Sequence, residues 1–71
     1  MTAIILSVPE SLAVFCEEVW AEAKAIDYEV AGVGLGSAEF RFPSRAAAQV
    51  AWELVKQRVA EIGDNATVYE D

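Results

Sequence analysis

The apolar residues of this chain change their spacing several times within 71 positions, and that switching restricts the folds open to it more than any other feature. Residues 3 to 8, Ala-Ile-Ile-Leu-Ser-Val, form a branched apolar run too short for a helix and read as a buried central strand. Ser7 stands three positions before Glu10 with Pro9 between them. This is capping-box spacing with a proline where a missing N–H costs nothing, so a helix is expected to begin there. Leu12, Phe15, Cys16, Val19, Ala23 and Ile26 then recur at three- and four-residue steps, tracing the core stripe of about four turns of helix.

From Tyr28 to Val33 the chain turns strand-like, and Gly32-Val33-Gly34-Leu35-Gly36 leads into Ser37-Ala38-Glu39-Phe40-Arg41-Phe42, where apolar and polar residues alternate. A hairpin is expected. Pro43 stops that strand, Ser44 is a natural N-cap, and the alanine-rich segment to Ile62 predicts a second helix ended by Gly63. Its Ala48, Ala51, Trp52, Val55, Val59 and Ile62 can face a sheet. Ala66-Thr67-Val68-Tyr69 predicts a last short strand before the acidic tip Glu70-Asp71.

The order β-α-β-β-α-β, with short connections and no repeat, resembles that of ferredoxin-like domains across the whole chain. The resemblance implies one α+β domain over residues 1–71. Its four-stranded antiparallel sheet would carry both helices on one face, with strands one and three central and strands two and four at the edges. The other sheet face would be open. Fold alone carries no function. Acylphosphatases share the element order, and Gly32-Val33-Gly34 is similar to part of their glycine-rich signature. Their phosphate loop, however, follows the first strand, where this chain has Val8-Pro9-Glu10-Ser11 and no arginine.

Composition excludes several classes. With 55% hydrophobic and 24% charged residues the chain is a folding sequence, not a disordered tail. Twelve acids against five bases give a net charge of -7, the wrong sign for gripping DNA or RNA directly. A domain this small buries only roughly 60% of its unfolded surface and usually recruits a disulfide, a metal or a partner. One cysteine and no histidine offer neither a disulfide nor a zinc site, which leaves a partner. The start Met1-Thr2-Ala3-Ile4-Ile5-Leu6 lacks the features of a secretion signal, and no window approaches the ~20 apolar residues of a membrane span. A cytoplasmic location is expected, and Asn65-Ala66-Thr67 reads as a loop-to-strand junction, not a glycosylation site.

No motif carries chemistry. Gly32, Gly34 and Gly36 lie between two strands, whereas a dinucleotide fingerprint needs its glycines ahead of a helix; a tight or bulged hairpin is the reading. Phe40 and Phe42 share one strand face and are expected in the core, because the basic residue and glycine that precede the stacking aromatics of RNA-recognition motifs are absent. Cys16 sits on the apolar stripe and reads as structural. Glu17 and Glu18 project about 100° apart on a helix and form no converging carboxylate pair. Asp64 and Asn65 lack the ligand count of a calcium loop. The expectation is a protein that is not an enzyme and holds no cofactor or metal.

Charge is the informative signal. Through residue 40, seven acids oppose Lys24 alone. Glu10, Glu17, Glu18 and Glu22, with Asp27 and Glu29 at the adjoining edge, mark a negative surface that is either simply solvated or docks on a basic protein partner. Small acidic domains of this kind are similar in size and charge to phage-encoded inhibitors, including anti-CRISPR proteins that imitate DNA phosphates. That resemblance implies inhibition of a basic, nucleic-acid-handling protein by occlusion. The rival expectation is a small dimeric regulatory or ligand-binding module. For self-association, Val50 and Leu54 project from the flank of the second helix, and Ile5, with Val33 or Leu35, is offered by the open sheet face.

Overall fold

A computed structural model describes residues 4–24, 26–58 and 66–70. The first apolar run forms strand β1, Ile4–Pro9, which leads through a 3₁₀ turn, Glu10–Leu12, into helix α1, Ala13–Ala23. The hairpin consists of β2, Glu29–Gly34, and β3, Ser37–Phe42; helix α2, Arg45–Arg58, and strand β4, Thr67–Glu70, follow. The sheet is open and antiparallel in the order β2-β3-β1-β4, so strands one and three are central, as the ferredoxin-like reading requires.

Alternation divides the sheet into two faces. Leu6 and Val8 of β1 and Ala38, Phe40 and Phe42 of β3 form one buried cluster with Cys16, Val19 and Trp20 of α1 and Ala48, Ala51, Trp52 and Val55 of α2. Both helices therefore lie on the same face. Trp20 ties them together: its indole N–H donates to the Ala51 carbonyl on α2 at 3.0 Å. The ring itself stands edge-on to Phe40 and Phe42, with centroids 4.9 and 5.5 Å away. A tryptophan is buried well only when its N–H finds an acceptor, and here the neighbouring helix supplies it.

The ends of the helices depart in part from expectation. Ser7 does not cap α1; it lies inside β1, opposite Glu39 and Thr67. The ladder with β3 continues to Pro9, opposite Ser37, and cross-strand pairing outcompetes the local cap. Leu12 occupies the cap position of α1 without a side-chain bond, and the Glu10 N–H is instead satisfied by the Gly36 carbonyl at 3.0 Å. The buried face of α1 includes Ala13 and Trp20, which the stripe read from the sequence omits. Ile26 falls beyond the helix, because Lys24 turns left-handed at φ 59° and returns its N–H to the Trp20 carbonyl. A left-handed lysine in a place usually taken by glycine costs about 1 kcal/mol.

Helix α2 begins as read. Ser44 Oγ accepts from the Ala47 N–H at 3.1 Å, and Ala48, Ala51, Trp52 and Val55 are buried. Val59, Ile62, Gly63, Asp64 and Asn65 lie outside the described residues. The hairpin closes through Leu35 and Gly36, both at positive φ (55° and 88°), the signature of a two-residue loop matched to strand twist. Between Val30 and Gly32 the register with β3 slips, leaving Ala31 without a cross-strand partner.

Candidate functional site

The six carboxylates singled out by sequence differ in exposure and in what they contact. Glu10 and Glu18 are exposed on the 3₁₀ turn and α1. Glu17 is half-buried and accepts from the Tyr28 hydroxyl at 3.2 Å, which fixes the segment entering β2 against α1. Glu22 reaches across the helix pair to Arg58. Glu29 pairs with Arg41 across the hairpin at 3.3 Å. Asp27 is exposed in the connection between α1 and β2.

Four of the five cations are held in salt bridges. Arg41 and Arg58 hold the two acids just named, Arg45 lies 3.5 Å from Glu70, and Lys56 lies 3.0 Å from Glu53. Among the described residues only Lys24 is in no salt bridge; on the acidic side Glu10, Glu17, Glu18, Asp27 and Glu39 are in none, though Glu17 and Glu39 accept hydrogen bonds from Tyr28 and Tyr69. Exposed pairs of this type contribute roughly 0–1 kcal/mol each, so a competing partner can exchange them at small cost.

Two shallow depressions bring several of the candidates together. Asp27, Tyr28, Glu29, Arg41, Phe42 and Pro43 line a notch of about 170 Å³. Asp27, Phe42 and Pro43 also line a groove of about 260 Å³ that continues along Ile26, Ala46, Ala47 and Val50. An acidic rim thus runs into an apolar trough ending at Val50, which is 54% exposed. One turn apart on α2, Val50 and Leu54 together line a larger depression of about 530 Å³ with Trp52 and Val68, and Leu54 also lines one with Val19, Glu22 and Arg58. Leu54 is half-buried against the core.

Ile5 sits on the sheet face expected of it but offers almost no surface for self-association. It lies on the open sheet face, between Arg41 and Tyr69, but is only 3% exposed. The Tyr69 hydroxyl reaches over β1 to the Glu39 carboxylate, so polar side chains close over the isoleucine and leave it little surface to offer. Val14 and Val30, in contrast, are exposed and were not singled out. Val14 stands four residues before Glu18 on the solvent side of α1, a spacing visible in the sequence.

Cys16 is fully buried, and burial, with the adjacent Glu17 charge, pushes its thiol from 9.0 up to about 11, so it carries almost no thiolate at neutral pH. Phe40 and Phe42 face the helices and present no stacking platform. Among the described residues no three acidic or cysteine side chains converge as a metal site, and no helix is long and apolar enough to cross a membrane. No protein-family model and no curated protein matches this chain.

Proposed function

We propose that this chain is a cytoplasmic, non-enzymatic interaction module that docks on a basic, nucleic-acid-handling protein and inhibits it by occlusion or by standing in for phosphates. The observation that carries the reading is the Asp27 rim joined to the apolar trough toward Val50. A lysine or arginine of the partner would meet Asp27 and Glu29 while its neighbouring apolar side chain fills the trough. That combination gives both steering and a desolvated anchor. The excess of acids over bases, with most cations already paired inside the molecule, adds a long-range field of one sign. Direct binding to nucleic acid is not part of the reading.

The test is affinity capture from the native host, followed by titration of the retained protein with wild type and with the double variant Glu18→Lys, Asp27→Lys. The reading expects a basic nucleic-acid-binding protein that duplex DNA competes away, and a loss of about tenfold or more in affinity together with a shallower salt dependence in the variant. Binding that ignores both salt and charge reversal would overturn it.

A further inference from the structure

The sheet has two edges, and only one is guarded. At β4 the strand is four residues long, and its Glu70 is tied to Arg45 at the start of α2. At β2 no charged residue occurs from Val30 to Gly36. Val30 and Val33 are more than half exposed, and Leu35 stands fully exposed at the turn in a left-handed conformation that a leucine adopts only at a cost. An edge of this kind is a template for another strand, and of the usual defences (inserted charge, proline, a bulge) β2 carries the slip at Ala31 alone beyond its first residue.

We propose that β2 pairs antiparallel with the β2 strand of a second copy of this chain about a two-fold axis, joining two four-stranded sheets into one. The inference does not rest on the inhibitory reading. It rests on self-complementarity. In the register that sets Val30 opposite the partner's Val33, Ala31 meets the partner's Gly32 and Glu29 meets the partner's Gly34. Within the protomer Val30 and Val33 pair with Phe40 and Ala38, both core residues, so both valines belong to the helix-bearing face; Glu29 and Gly34 pair with Arg41 and Ser37 on the other. The register therefore matches face to face along the strand, and an isologous contact needs that match.

Charge selects the occupant. Glu29 already has Arg41 within its own protomer and in this register faces a glycine, so no like charges oppose across the seam. A basic partner finds no carboxylate to read between Val30 and Gly36, whereas a second copy finds valines and unpaired backbone groups. Each copy carries a net charge of -7, and that repulsion makes added salt strengthen the dimer. Binding to a basic protein responds in the opposite sense, so the two proposals fail separately.

Sedimentation equilibrium of the full chain from ~10 μM to ~1 mM, at low and high salt, tests this. The expected result is a monomer–dimer equilibrium shifted toward dimer by salt, abolished by Val33→Lys and unchanged by Val50→Glu, with circular dichroism showing both variants folded. Mixing a Val30→Cys chain with a Val33→Cys chain under oxidation is expected to give the disulfide-linked dimer far faster than either chain alone; Cys16 is buried and does not compete. A monomer throughout, a dimer that survives Val33→Lys, or equal cross-linking in the unmixed chains would each overturn the proposal.

Discussion

The two faces of the sheet bury their apolar residues by different means. On the helix side, Trp20, Phe40 and Phe42 meet edge to face, the aliphatic residues fill in around them, and no polar or charged side chain is buried among the described residues. On the open side a single isoleucine, Ile5, lies under a lattice of longer side chains, with Arg41 and Tyr69 beside it and the Tyr69–Glu39 hydrogen bond crossing over β1. An open sheet face is thus not automatically a sticky one. Polar residues with long apolar stems cover it, and the most exposed apolar side chains lie elsewhere: Val30 and Val33 on β2, Leu35 at the turn, Val14 on α1 and Val50 on α2.

The sharpest way to break this comparison is to truncate one residue on each face. Trp20→Ala removes the ring that contacts Phe40, Phe42 and Tyr28 and the bond to Ala51. It is expected to cost about 3–5 kcal/mol in urea unfolding, enough to unfold a domain of this size. Ile5→Ala is expected to cost about 2 kcal/mol, because the flexible side chains above it can settle into the space. Equal losses at the two sites would mean that the open face is packed as rigidly as the core.

Alkaline titration sharpens the contrast further. The folded protein holds the Cys16 proton to about pH 11, against 9.0 for a free thiol. The folded state therefore binds more protons than the unfolded one across that window, and stability falls as pH rises through it. The full contribution is present below pH 9, and roughly 2 kcal/mol is lost by pH 11. Tyr28, raised by burial and by Glu17, acts in the same direction. Cys16→Ala is expected to flatten the curve, which thermal melts at a series of pH values would show.

The element order was legible because each signal was local. Pro43 and Ser44 punctuate the hairpin and start α2, and the alternation of Ser37–Phe42 assigns Phe40 and Phe42 to the core face. What escaped the sequence depends on distant partners. The burial of Trp20 requires a carbonyl 31 positions away. Ser7 carries a cap signature that only the pairing of β1 with β3 and β4 overrides. Lys24 ends α1 where no glycine announces it. At the candidate site the carboxylates could be counted, but not their neutralisation: Glu22 meets Arg58 across 36 positions, and Asp27 joins Val50 only because the connection after α1 folds back toward α2.

The link from the Trp20 indole to the Ala51 carbonyl also governs how the domain comes apart. Lifting α2 would strand the buried Trp20 donor, and lifting α1 would pull the Trp20 ring away from Phe40 and Phe42, so local opening of the two helices is coupled. Backbone amides in the two helices should then exchange with solvent at similar free energies, and the fluorescence of the two buried tryptophans, Trp20 on α1 and Trp52 on α2, reports on the cooperative unit as a whole.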